Sequence, residues 1–185
     1  YNERKIGFNR SEINPNEGHK ALVELEKICK KKFLIVTQNI DSLHEKAGSK
    51  NILHMHGSLE RLYCMICGYK VAYDFELDSS YICSNCKKPG KVRVDVVWFG
   101  EEPKYLEQIY KFLDETDVFI SIGTSNNVYP AAGFINHILN KKEKILLYEF
   151  NLEETVKSSL FTKSFKGYAS ETLPHFLELV SNGVY

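Results

Sequence analysis

The sequence predicts an α/β fold, a doubly wound parallel sheet interrupted by a small inserted lobe. Three observations carry that expectation. Continuous apolar runs at 33–36, 118–122 and 145–150 are what a sheet buried on both faces selects, and helical patterns separate them. These runs end in polar or glycine-containing clusters at 37–41, 123–125 and Asn151, the strand ends where open parallel sheets bind ligands. Two Cys-x-x-Cys pairs, Cys64/Cys67 and Cys83/Cys86, stand fifteen residues apart and interrupt the alternation.

Taken in chain order, Asn14 offers an N-cap, Pro15 the first helical position and Glu17 the third, followed by Ala21, Leu22, Leu25, Ile28 and Cys29 on one face. Cys29 is therefore expected in the core. Lys30, Lys31 and Lys32 close this helix, where cations suit the negative end of the macrodipole. The apolar run 33–36 reads as a buried strand that opens into Thr37-Gln38-Asn39-Ile40-Asp41. On the residues alone, that polar run is an Asx-type turn satisfying its own backbone.

Each cysteine pair is separated by two residues, so one tight turn aims both sulfurs at one metal, and the intervening loop brings the second turn across. The predicted centre is one structural zinc held by Cys64, Cys67, Cys83 and Cys86, in a lobe of about residues 60–92 too short to build its own core. Two disulfides are the competing reading, but no secretory segment is visible and Cys29 would be left odd. Beyond the lobe, 97–101 (Val-Trp-Phe-Gly-Glu) reads as an edge strand ending in glycine. Residues 118–122 and 145–150 read as buried strands, 131–141 as the crossover helix between them and 172–181 as a closing helix. The whole is one domain, 1–185, with sheet portions at about 30–59 and 93–185.

Composition narrows the function. A hydrophobic share of 43% and 22 Tyr and Phe residues supply a core, which removes disorder from consideration. Lys plus Arg equals Asp plus Glu at 24 each, so no overall field draws the chain to nucleic acid or to an anionic membrane. No apolar stretch is long enough to span a bilayer, and thiolate zinc suits a reducing cytoplasm. A monomer is expected.

The run 37–41, His56-Gly57-Ser58, the two cysteine pairs, 97–101, Gly123-Thr124-Ser125 and Asn151 occur in the order found in sirtuins, and the chain resembles that family of NAD-dependent protein lysine deacylases from Tyr1 to about Pro174. The resemblance implies a Rossmann-like sheet, NAD as cofactor, acylated-lysine proteins as substrates, and nicotinamide, free lysine and O-acyl-ADP-ribose as products. One family element is missing, the glycine-rich turn that cradles the NAD pyrophosphate. Since the first residue is Tyr1, the expectation is that roughly 40 to 50 further residues precede it, a strand-helix unit with its connections.

The family's base directly precedes Gly-Ser, which assigns that role to His56. On the residues alone it is one of six histidines, with His54 its near rival. By resemblance Gln38, Asn39, Ile40 and Asp41 hold the nicotinamide ribose and carboxamide. Gly123, Thr124, Ser125 and Asn151 meet the rest of the cofactor, and Leu152, Glu153 and Ala169 line the adenine. Val97, Trp98, Phe99, Gly100 and Glu101 would pair with the substrate peptide, with Val128 opposite, around the lysine stem. Sirtuins that remove succinyl and malonyl groups carry Tyr-x-x-Arg at the distance of Tyr1 and Arg4, a hydroxyl and a guanidinium fork suited to a carboxylate. Those two residues predict an acidic-acyl preference. Mono-ADP-ribosyl transfer and a non-catalytic zinc-ribbon interaction module are the alternatives.

Overall fold

The structure is a computed structural model, and it describes residues 13–29, 32–125, 127–141 and 144–184. Two compact units divide the chain. The first is built on Leu34–Lys46 and Lys50–Lys104, the second on Pro15–Phe33, Ala47–Ser49 and Tyr105–Tyr185.

In the first unit the apolar run becomes strand β1 (Ile35–Thr37), which pairs in parallel with β2 (Ile52–His54) so that Thr37 lies beside His54. A short helix, α2 (Leu43–Ala47), makes most of the crossover between them. A three-stranded antiparallel sheet follows, with β3 (Gly57–Cys64) between β4 (Lys70–Ala72) and β5 (Val92–Val96). Leu59, Leu62, Tyr73, Val94 and Val96 form a buried cluster in this sheet, with Ile40, Val71, Tyr81 and Val92 packed against it. Leu59, Val94 and Val96 lie outside the expected lobe of about 60–92, so the cluster is built jointly by the lobe and the residues that flank it. Alternation along three short strands turns enough side chains to one face to exclude water.

Gly57 opens β3 with φ 84°, and a Cβ there would lie 1.8 Å from the Asp95 carbonyl oxygen. Only glycine lets β3 and β5 approach so closely. The Asp95 side chain at this crossing is buried and ion-paired to Lys104, whose backbone N–H also donates to the Met55 carbonyl at 2.8 Å. Burial pulls the Lys104 pKa down against the opposing pull of Asp95.

In the second unit β6 (Val118–Ile122), β7 (Leu146–Asn151) and β8 (Lys163–Lys166) form a parallel sheet in sequence order. Helix α4 (Ala131–Lys141) connects β6 to β7, and a segment with one 3-10 turn (Ser158–Leu160) connects β7 to β8. Strand alternation gives β7 two faces. Leu147 packs with Ile135 of α4 and with Phe161. Tyr148 and Phe150 point the other way, where Phe150 stacks on Phe165 at 4.6 Å and Phe176 of α5 (Ala169–Ser181) meets both rings edge-on. Helices thus cover both faces, as a doubly wound sheet requires. Helix α3 (Leu106–Glu115) lies against α4, with Tyr110 edge-on to Phe134.

Helix α1 (Glu17–Cys29) buries Gly18, Ala21, Leu22 and Leu25. It begins later than expected because Asn16 provides the cap: its Oδ1 accepts the His19 N–H at 3.2 Å. The buried face stops at Glu26, so Ile28 and Cys29 are exposed and Cys29 is not a core residue. Helix α5 starts at Ala169, three residues ahead of the expected start at Thr172. Among the described residues no helix is long and apolar enough to cross a membrane.

Candidate functional site

The cysteine pairs sit at the tip of the antiparallel sheet, and each turn is closed by backbone bonds of one pattern. Gly68 N–H donates to the Cys64 carbonyl at 3.0 Å and Lys87 N–H to the Cys83 carbonyl at 2.9 Å. The two knuckles therefore present their sulfurs in the same way. Cys64 Sγ lies 3.7 Å from Cys86 Sγ, Cys67 Sγ lies 3.7 Å from Cys83 Sγ, and all four sulfurs fall within 4.8 Å of one another. A zinc tetrahedron with bonds of ~2.3 Å has sulfur edges of ~3.8 Å, so the donor set fits one ion with no position left for water. Cys67 is already inclined to the thiolate, its pKa lowered to about 6 chiefly by the Asn85 amide, which donates to its sulfur.

At the end of β1 the adjacent carbonyls of Gln38 and Asn39 each hold one histidine. His54 Nδ1 donates to the Asn39 carbonyl at 3.1 Å and His56 Nδ1 to the Gln38 carbonyl at 3.1 Å. Their second nitrogens differ. His54 Nε2 lies 2.6 Å from Glu45 Oε1 in a buried setting. Burial lowers the His54 pKa, but the bond to Glu45 and its charge outweigh this, and the net shift is upward. For Glu45 burial acts upward and the His54 bond prevails, so its pKa falls. Both ring nitrogens of His54 are thus engaged, and the ring is clamped between Asn39 and Glu45. His56 is half-buried, and among the described residues its Nε2 has no partner. With Nδ1 donating to a carbonyl, Nε2 of the neutral ring carries the lone pair.

Around this ring, Asn39 N–H donates to Thr37 Oγ1 and Leu43 N–H to Asp41 Oδ1, both at 3.0 Å. Asp41 therefore does make the Asx turn that its sequence allowed. Among the described residues the side chains of Gln38 and Asn39 make no hydrogen bond. Ile40 instead contributes its carbonyl to Leu59 N–H at 2.8 Å and its side chain to the sheet core.

The segment 97–101 is a turn rather than a strand, since β5 ends at Val96. Three of its backbone donors are already engaged: Val97 N–H donates to the His56 carbonyl at 2.9 Å, Trp98 N–H to Glu101 Oε2 at 2.9 Å and Glu101 N–H to the Trp98 carbonyl at 3.0 Å. Gly100 takes φ 88° to close the turn. Arg93 forms the clasp that the sequence did not reveal. One of its terminal nitrogens donates to both Glu101 oxygens at 2.7 and 2.8 Å, another donates to the Val96 carbonyl, and the guanidinium lies 4.3 Å from the Trp98 ring centroid. The Arg93 bond accordingly leads the causes that depress the Glu101 pKa. Phe99 is fully exposed and Trp98 about half so.

In the second unit the ends of β6 and β7 are tied together. Asn151 Nδ2 donates to the Thr124 carbonyl at 2.9 Å and its Oδ1 accepts the Leu152 N–H at 3.0 Å. Gly123, at φ 60°, leaves open space, since a Cβ there would meet nothing within 4 Å. Ser125, Val128, Leu152 and Glu153 are exposed, and Ala169 is the first residue of α5. Within the second unit, an open glycine turn beside a carboxyl-edge amide suits part of a dinucleotide such as NAD. Tyr1 and Arg4 lie outside the described residues.

Comparison with known families places these features. The Sir2 family profile matches residues 1–130. The chain belongs to the Sir2 family. An NAD-dependent protein deacylase of Bdellovibrio bacteriovorus is 47% identical over 177 residues, covering 96% of this chain and 74% of that protein. One from Salmonella typhimurium is 41% identical over 184 residues, covering all of this chain and 67% of that protein. Among solved structures, a Sir2 homologue in complex with NAD superposes with a TM-score of 0.83 at 31% identity, over 96% of this chain and 68% of that one. Another, bound to a myristoylated histone peptide, gives 0.74 at 31% identity, over 91% of this chain and 73% of that one. The fold is thus shared with both. Glu45 and Arg93 are the residues that sequence reasoning passed over. Each acts through a partner eight or nine positions away, a separation with no period to betray it.

Proposed function

We propose that this sirtuin removes acyl groups from protein lysines with NAD, and that His56 is its general base. The relatives' shared activity supports the reaction class. The single observation that carries the residue assignment is the contrast in hydrogen bonding between His54 and His56, because a base needs a nitrogen with a lone pair and His56 Nε2 has one. NAD, when bound, supplies the labile nicotinamide–ribose bond and the acceptor for the acyl group. Gln38, Asn39, Asp41 and the Ile40 backbone are the groups that would hold its nicotinamide end. Gly123, Thr124, Ser125, Asn151, Leu152, Glu153 and Ala169 would hold the remainder. His56 Nε2 would take up the proton of a ribose hydroxyl, leaving that oxygen as the nucleophile, while its Nδ1–H stays on the Gln38 carbonyl, which spreads the new positive charge onto a fixed dipole. Trp98 and Phe99, with Val97, Gly100 and Val128, would sheathe the lysine stem and keep water from the reaction. Glu101 shapes this segment through Arg93.

The preferred acyl group ends in a carboxylate, met by the Arg4 guanidinium and the Tyr1 hydroxyl, because an apolar passage admits such a charge only against a cation. The balance of 24 basic and 24 acidic residues supports a protein that engages neither nucleic acid nor membrane, and four thiolates support a reducing cytoplasm. We take it to act as a monomer. The experiment is turnover of matched succinyl-lysine and acetyl-lysine peptides at saturating NAD by the wild type and by Arg4→Met. Selective loss of succinyl turnover, by ~30-fold or more, is expected from removing one partner of a buried charge pair. Equal loss on both peptides overturns the acyl preference, and NAD consumption without release of free lysine points to ADP-ribosyl transfer instead.

A further inference from the structure

Glu149 is a buried carboxylate that the proposed chemistry does not use. It stands on β7 facing the α4 side of the parallel sheet, the same side as Leu147, where an aliphatic residue would pack at no electrostatic cost. Instead it gathers hydroxyls. Thr155 Oγ1 donates to its Oε1 at 2.6 Å, and Ser158 Oγ and Ser164 Oγ donate to its Oε2, the latter at 3.1 Å. Ser164 is its register partner on β8, so one oxygen braces the sheet. Thr155 and Ser158 belong to the segment that leaves the carboxyl end of β7. They also lock each other, with Thr155 N–H donating to Ser158 Oγ at 2.8 Å and Ser158 N–H to the Thr155 carbonyl at 3.1 Å.

The consequence lies between the two anchors. Asn151 fixes the start of the segment through Thr124 and Leu152, and Thr155 fixes its continuation through Glu149. Residues 152–154 form an exposed bend suspended between them, with the apolar Leu152 about half exposed at the carboxyl edge of a parallel sheet. Ligands bind at such edges, and an exposed bend can present a fixed surface to one only if its course is set from below. We propose that Glu149 is a positioning residue for cofactor binding: through Thr155 and Ser158 it holds the 152–154 bend in the shape that receives the adenosine end of NAD. This rests on the NAD reading above.

The test is steady-state kinetics of Glu149→Gln and Ser158→Ala in the full chain, with NAD and an acyl-lysine peptide each varied in turn. A slackened bend should raise KM for NAD by about tenfold, the scale of a sub-ångström misplacement, while kcat and KM for the peptide stay within about twofold. Inhibition by ADP-ribose, which carries the adenosine end, should weaken in proportion, and inhibition by nicotinamide should not change. Should Glu149→Gln fail to fold, Ser158→Ala, which deletes a single donor, decides the matter by a smaller rise confined to the same two constants. An NAD KM unchanged in an active variant overturns the proposal. So does a uniform fall in every parameter, which marks a purely structural carboxylate. A wild-type chain that consumes no NAD overturns the cofactor reading itself, and the positioning role with it.

Discussion

The cysteine knuckles and the turn around His56 are both tight turns in the same unit, yet one is closed upon itself and the other is left open. In the knuckles all four sulfurs converge to within 4.8 Å of one another. Around His56 the carbonyls of Gln38, Asn39, Ile40 and His56 and the N–H of Asn39 are tied down, while Nε2 and the side chains of Gln38 and Asn39 remain without partners among the described residues. The difference separates two uses of rigidity. The first spends its donors on holding the fold together, and the second spends only its backbone, which leaves side-chain atoms for chemistry.

The largest test of that contrast is removal of the metal. Structural zinc contributes on the order of 10–16 kcal/mol to small domains, so chelation or Cys83→Ser should melt the antiparallel lobe. Elemental analysis should find one zinc per chain before treatment, and circular dichroism with limited proteolysis should report the loss. A lobe that resists proteolysis without zinc would mean that the apolar cluster around Leu62 suffices alone.

Gly57→Ala comes next, because its Cβ would meet the Asp95 carbonyl at 1.8 Å and its φ is positive. The expected cost is about 4 kcal/mol or more by denaturant unfolding. Gly123→Ala, with a positive φ but open space, should cost only about 1–2 kcal/mol. Equal costs at the two glycines would remove the steric argument.

His56→Ala should lower turnover by ~10² or more with zinc content and thermal midpoint unchanged, the scale of a lost general base. If His54→Ala retained its fold and lost the same activity in the same way, the distinction between the two rings would collapse.

The smallest effect is pH-dependent. The His54 pKa is raised, so its share of stability is complete below the unfolded value near ~6.5 and is lost as pH rises through the folded value. The Glu45 pKa is lowered, so its share is present above its unfolded value near ~4.3 and disappears as pH falls through the folded one. Thermal midpoints of wild type and Glu45→Gln should therefore differ most between about pH 5 and 6.5 and converge at higher pH. A gap that widens above neutrality contradicts the upward shift of the His54 pKa.

What could be read in advance follows the same division. Strand β6 and helix α4 fall at the expected residues because their apolar periods are internal to each segment. The cysteine site was equally legible, since spacing alone encodes it. Helix α1 was placed two residues early because Asn14 and Asn16 are equivalent as caps until geometry chooses Asn16. Helix α3, with Leu106, Ile109, Tyr110 and Leu113 in helical period, carried a signal that was not taken up. Strand β8 offers only Phe165 among polar residues and owes its existence to Phe150 and Phe176. For His56 the deciding partner is the Gln38 carbonyl, a backbone atom that every residue type would provide. No side-chain pattern can announce it, and the family resemblance had to stand in for it.

Gly18 of α1 comes so near to α5 that a Cβ there would sit 2.8 Å from the Ala169 carbonyl. In sequence these two helices are far apart, with Leu34–Lys46 and Lys50–Lys104 of the first unit encoded between them. During synthesis α1 leaves the ribosome before α5, with its apolar face of Ala21, Leu22 and Leu25 exposed, and waits until α5 has been made. Contacts of such long sequence separation form late and fold slowly. The interval before α5 emerges is therefore when the nascent chain is most open to aggregation or to capture by a chaperone.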